Sequence, residues 1–149
     1  MKILVQKYGG TSMGSIERIQ NVARRVIDFK NNGWNVVVTV SAMSGETDKL
    51  LTLAKQITES PNERELDMMV STGEQVSIAL LAIALNHMGH KAISMNAYQA
   101  GIYTDKSYTK AKIEKIHAVK IKQKLKEGRI VIVAGFQGID KENNITTLG

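Results

Sequence analysis

The sequence predicts an α/β fold, a parallel sheet covered by helices, and three observations carry that expectation. Strand-like and helix-like segments alternate along the chain. The segment 36–40 reads VVVTV, apolar on both faces, as in the middle of a parallel sheet. The connections between strands are long enough to hold helices, as right-handed crossovers require.

Each element has its own signal. Residues 3–6, ILVQ, predict a short strand ending at Lys7, with a tight Gly9-Gly10 turn after it. Residues 16–31 predict a helix, because Ile16, Ile19, Val22, Ala23, Val26 and Ile27 recur at helical spacing. Ser15 suits its N-cap, and Arg18 in place of an acid three residues on rules out a capping box. Gly33 stops this helix. After the strand at 36–40, a polar loop, Ser41–Lys49, leads into a helix from Asp48 to Glu59. Pro61 separates it from one longer helix, 63–88, which Gly89 ends. Residues 91–95 predict a strand and 96–108 an irregular stretch. Ile113, Ile116, Ile121 and Leu125 among lysines predict one amphipathic surface helix over 111–127, closed by Gly128. RIVIV at 129–133 predicts another strand. Gly135, Gly138 and Asn143-Asn144 mark turns, and 145–147 begin a last strand.

A chain of 149 residues predicts one domain, residues 1–149. With no cysteine, a disulfide scaffold and any thiolate metal site are excluded. The apolar runs are strand-length except one helical run near residue 80, so no segment is expected to span a bilayer, and a cytoplasmic location is the default. The net charge of +6 gathers in Lys106, Lys110, Lys112, Lys115, Lys120, Lys122, Lys124 and Lys126. Neither arginine nor a ladder of aromatic rings accompanies them, so they read as a solvated face and no nucleic-acid partner is expected.

Five segments have the chemistry of a site. In KYGGTS, residues 7–12, the Gly9 and Gly10 backbone, Lys7 and the Thr11 and Ser12 hydroxyls suit a phosphate at a strand-to-helix turn; a plain connecting turn is the alternative. The lysine precedes the glycines, so this is not a Walker A loop. SAMSGETD, residues 41–48, places Ser41 and Thr47 after a strand's C-terminal end, where polar substrates bind, or where Ser44 or Thr47 simply caps a helix. Gly73 and Glu74 interrupt an apolar helix, where glycine costs about 1 kcal/mol against alanine. That breach of the local rules points to a close approach or a helix joint, and Glu74 there needs a cationic partner unless it is solvated. Gln99, Ala100 and Gly101 in a loop, and Phe136 between two glycines, complete the candidates, with plain connections as the alternative. His87, His90 and His117 have no metal-binding spacing, and no metal site is expected.

Together these segments resemble the aspartate kinase family, within the amino acid kinase superfamily. The matching stretches are KYGGTSMGS (7–15), VVVTVSAMSGETD (36–48), STGEQVS (71–77), YQAGIYTD (98–105), IVIVAGFQGI (130–139) and ITTLG (145–149), in family order over essentially the whole chain. The resemblance implies a three-layer α/β/α sandwich with a central, mainly parallel sheet. It implies transfer of a phosphoryl group from ATP, with Mg2+, to the β-carboxylate of L-aspartate, on the route to lysine, threonine and methionine. By motif, Lys7 is the catalytic cation at the transferring phosphates, with Gly9, Gly10, Thr11 and Ser12 beside it. Ser41, Thr47, Glu74, Gln99, Ala100, Gly101 and Phe136 line the aspartate pocket, and Glu74 holds the amino group. The whole enzyme is expected to be a homo-oligomer. Tyr8 stands where the family commonly has phenylalanine, which preserves the ring, and Asn96-Ala97 replaces a more usual small or glycine-containing pair. Family members continue from such an ITTLG into an RGGSD stretch and a nucleotide half, then usually regulatory ACT domains. The chain is therefore expected to be the N-terminal portion of a catalytic domain, inactive alone. The alternatives are a sibling kinase for glutamate, acetylglutamate or carbamate, and a non-catalytic, self-associating fragment.

Overall fold

The computed structural model describes residues Met1–Gly149. In chain order the elements are β1 (Ile3–Tyr8), α1 (Ile16–Asn31), β2 (Asn35–Val40), α2 (Glu46–Ile57), α3 (Glu63–Val70), α4 (Thr72–His87), β3 (Ala92–Met95), α5 (Ala97–Ala100), β4 (Ile102–Thr104), β5 (Ile113–Ile116), α6 (Val119–Lys126), β6 (Ile130–Ala134), β7 (Gln137–Ile139) and β8 (Ile145–Thr147).

Four strands form a sheet in the order β1-β2-β6-β3, every pair parallel. Its two faces bury different partners, which makes three layers. On one face Val36, Val38, Val40, Ile130 and Ile132 pack with Ile19, Val22 and Val26 of α1 and Ile78, Leu81 and Leu85 of α4. On the other, Val37, Val131 and Val133 meet Ala100 of α5 and Leu125 of α6. The strands are apolar on both faces because both faces are covered. Ser15 caps α1 as its sequence predicts, accepting from the Arg18 N–H at 3.2 Å. The α2 helix is different: none of its residues is buried, and its N-cap, Gly45, is left-handed and offers no side-chain cap.

A second, smaller sheet has the order β5-β4-β7-β8, and it corrects two expectations. The single helix over 111–127 is instead a strand, β5, and a shorter helix, α6. Ile113 and Ile116 are three apart, which mimics helical spacing. A bulge in the pairing with β4, between Tyr103 and Thr104, accommodates that spacing in an antiparallel ladder. The irregular stretch 96–108 likewise contains α5 and β4; a reciprocal capping box between Asn96 and Gln99 starts the helix. Gly138 lies within β7 and not in a turn. A Cβ there would stand 2.3 Å from Thr104 Cγ2, so glycine serves close approach of the neighbouring strand.

The long helix expected over 63–88 is jointed at Ser71. There the Ser71 hydroxyl donates to the Met68 carbonyl at 3.0 Å and the Thr72 hydroxyl to that of Met69 at 2.6 Å. Such back-bonding bends a helix by competing for its carbonyls. The combined stretch Glu63–His87 is long and apolar enough to cross a membrane by length and composition, against the expectation that no segment is, and 50% of its most apolar window is buried inside the fold.

Candidate functional site

A cleft of about 600 Å³ opens at the C-terminal ends of β1, β2 and β6. Lys7, Gly10, Ser41, Thr47, Glu74 and Phe136 line it together, from segments far apart in sequence. The sheet register explains part of this convergence: Lys7 pairs with Thr39 across β1 and β2, so both side chains leave the same face at the strands' ends.

The turn after β1 is pinned from both sides. The Met13 side chain is wholly buried beneath it, and the Arg18 guanidinium donates to the Thr11 carbonyl at 2.8 Å. Within the turn, only the Met13 and Gly14 N–H groups bond back, to the Gly10 and Thr11 carbonyls at 3.2 Å each. The N–H groups of Gly9, Gly10, Thr11 and Ser12 donate to no backbone carbonyl. Unpaired N–H groups beside a lysine are donors that an anion can take up. The Lys7 ammonium takes part in no ion pair; the pairs present are Arg64 with Glu65, Lys106 with Glu142, and Lys124 with Glu127.

Glu74 occupies the first turn of α4 and is 2% exposed. Its Oε2 has no hydrogen-bond partner. Burial disfavours the charged form and pushes the carboxyl up to about 7, a larger effect than the opposing bond from its own backbone N–H. Proximity to the Ser41 loop explains the helical glycine beside it: a Cβ on Gly73 would stand 2.9 Å from the Ala42 methyl. Phe136, 44% exposed at the cleft wall, takes a left-handed φ of 64°. For a bulky residue that conformation is strained and persists only where surrounding structure imposes it. Here the Leu148 N–H fixes the Phe136 carbonyl at 2.9 Å.

Other sequence-predicted residues lie elsewhere. Thr11 is exposed on the turn, and Ser12 faces a separate depression with Tyr8, Arg18 and Arg25. Gln99, Ala100 and Gly101 do not line the cleft. The Gln99 side chain closes the cap of α5, Ala100 is buried in the second core, and Gly101 is the left-handed C-cap of α5 against His117. Asp48, from the segment 41–48, and Gly135, one of the two glycines around Phe136, line it too, as do Thr39 and Leu148, to which the sequence assigned no role. Of these last two only Thr39 carries a readable signal, as the lone hydroxyl in VVVTV. The lysines of β5 and α6 are mostly exposed, as a solvated face requires.

The sequence profile of the Amino acid kinase family matches residues 2–149. The chain is 57% identical over its full length to an aspartate kinase of Stutzerimonas stutzeri (strain A1501) and 58% identical to an aspartokinase of Bacillus sp. (strain MGA3). It spans about 36% of the length of each of these relatives. Among solved structures, the aspartate kinase from Synechocystis superposes with a TM-score of 0.83 at 47% identity, over 99% of this chain and 24% of that one. Aspartokinase III of E. coli, in complex with aspartate and ADP, superposes with a TM-score of 0.86 at 22% identity, over 99% of this chain and 44% of that one, a likeness of fold.

Proposed function

The chain belongs to the amino acid kinase family, and from that premise we propose that it forms the amino-acid-binding part of an aspartate kinase. The reaction is ATP-dependent phosphorylation of the L-aspartate β-carboxylate. The observation that carries this reading is the pairing of opposites in one cleft. A free lysine ammonium stands beside a turn of unpaired N–H groups, and a buried carboxylate lacks a partner. An α-amino acid bearing a second carboxylate supplies what both need. Its ammonium meets Glu74, and its side-chain carboxylate points towards Lys7. Relatives named as aspartate kinases, at 57% and 58% identity, support the choice of amino acid.

In the proposed reaction a carboxylate oxygen of aspartate forms a bond to the γ-phosphorus as the bond to the β-phosphate oxygen breaks. No general base is needed, because the nucleophile is already ionised at neutral pH. Lys7 and the free N–H groups of Gly9 and Gly10 neutralise charge on the transferring group, the dominant form of catalysis in phosphoryl transfer. The turn fits a polyphosphate by its donor set. No group of three or more His, Cys, Asp or Glu side chains is arranged to hold a metal, so Mg2+ enters this reading as MgATP, bound mainly through phosphate oxygens. Turnover in this reading also draws on residues that the relatives carry outside the matched third, including most of the nucleotide site. Self-association of the whole enzyme and a cytoplasmic location belong to the same proposal.

Titration with L-aspartate, N-acetyl-L-aspartate and N-acetyl-L-glutamate, followed by amide NMR shifts at residues 41–48 and 72–76, tests it. Aspartate alone is expected to shift them, and the chain alone to show little turnover with MgATP and aspartate. Equal binding of N-acetyl-L-aspartate, which has no ammonium, would overturn the role of Glu74. Preference for N-acetyl-L-glutamate would favour a sibling kinase.

A further inference from the structure

Gln137 follows Phe136 directly, yet the proposed chemistry has no use for it. Its side chain is 3% exposed at the start of β7, and its carboxamide joins two other elements. Oε1 accepts from the N–H of Ala97, the first residue of α5, at 3.3 Å. Nε2 donates to the carbonyl of Ser71 at 3.1 Å. Ser71 is the joint between α3 and α4, and Glu74 lies in the turn that begins there.

That turn has few other anchors. No side chain caps the N-terminus of α4. The Ser71 hydroxyl is directed back to the Met68 carbonyl. The helical bond from the Gln75 N–H to the Ser71 carbonyl is long, at 3.4 Å. What locates the turn is Gly73 against Ala42 on one side and the Gln137 carboxamide on the other. The left-handed backbone at Phe136 explains why one dipeptide can serve both ends: it leaves the Phe136 ring at the cleft wall while Gln137 is buried towards Ser71.

We propose that Gln137 is a positioning residue of the amino-acid site, whose bond to the Ser71 carbonyl holds the first turn of α4 so that Glu74 faces the cleft. The proposal rests on the reading of Glu74 as the ammonium acceptor. An amide fits both partners, because its planar head carries an acceptor oxygen for the Ala97 N–H beside an N–H donor for the Ser71 carbonyl. Glutamate keeps the acceptor for the Ala97 N–H but sets an oxygen against the Ser71 carbonyl. Methionine, of similar length, removes both bonds.

The test compares Gln137→Glu and Gln137→Met with the original chain and with Leu125→Ala, a destabilised control in the second core. Aspartate affinity is measured by calorimetry where all four are folded, and the Glu74 carboxyl titration is followed by NMR without ligand. Both Gln137 variants are expected to bind aspartate at least tenfold more weakly, and Gln137→Met, which adds no charge, to titrate Glu74 about one unit lower as it gains water. Leu125→Ala is expected to match the original chain in both. Variants at 137 that lose thermal stability but keep the affinity and the Glu74 midpoint would reduce Gln137 to a structural residue and overturn the proposal. Failure of the original chain to bind aspartate would remove the reading of Glu74. The ligand-free titration would then still decide whether Gln137 sets the place of that carboxyl, and an unmoved midpoint would overturn it.

Discussion

Asp67 and Thr147 lie 80 positions apart in sequence and share two hydrogen bonds: the Thr147 N–H and hydroxyl donate to the Asp67 carboxylate at 2.9 and 2.7 Å. The same carboxylate accepts from the Thr109 N–H at 2.9 Å and is 1% exposed. It ties α3 to β8 and to the turn before β5, and so fixes the strand that leads to Leu148 at the cleft. Asp67→Ala strands the two donors of buried Thr147 where water is scarce, and leaves that of the exposed Thr109 to solvent, at a cost of about 3 kcal/mol. Urea unfolding is expected to show that loss; a change below about 1 kcal/mol would mean the donors find other partners.

Glu74 sets stability against function. Its carboxyl, pushed up to about 7 by burial from a usual 4.5, holds its proton more tightly folded than unfolded. The folded state is therefore favoured below pH 4.5 and loses that advantage as pH rises to about 7. Above that the penalty is complete, about 3 kcal/mol at most. Glu74→Gln is expected to unfold at higher urea than the original chain at pH 8, with the difference shrinking by pH 5. It should also lose aspartate binding. For the original chain, affinity should fall about tenfold per pH unit below the Glu74 midpoint, because a protonated carboxyl cannot pair with an ammonium.

Gly73→Ala opposes two terms of known size. The helix gains about 1 kcal/mol from alanine, while a methyl 2.9 Å from Ala42 overpacks the contact, typically by 1–3 kcal/mol. Net destabilisation and weaker aspartate binding are expected. The double variant Gly73→Ala with Ala42→Gly should recover much of both, measured by thermal unfolding and calorimetry.

Lys7→Met should separate binding from folding. The residue is exposed, so stability should stay within about 0.5 kcal/mol. Binding of tripolyphosphate, titrated at low salt, should weaken at least tenfold. Equal affinity in the variant would show that the turn binds anions without this ammonium.

Sequence periodicity carried the layers of the fold because burial here follows simple repeats. The Ile19, Val22, Val26 stripe faces the core as its spacing demands, and VVVTV is covered on both sides. Periodicity misled at Ile113 and Ile116, where a bulge in the partner pairing let a strand carry helical spacing. Within the site, the misplaced Gly73 was the most informative letter, since a rule broken inside a helix marked the close approach that places Glu74 in the cleft. Asp67 and Gln137 gave no such sign. Their partners, Thr147 and Ser71, are distant in the chain, and only the folded geometry brings them together.

The unburied helix α2 has a kinetic consequence. It carries Thr47 and Asp48 into the cleft, yet it rests on the fold without a buried side chain or a side-chain cap. Helices held so lightly open by local unfolding at a small fraction of the global free energy. Amide protons of α2 should therefore exchange with solvent far sooner than those of β2 or β6, whose exchange waits on global opening. A ligand touching Thr47 would slow exchange along the whole helix, so deuterium uptake there reports site occupancy without following any reaction.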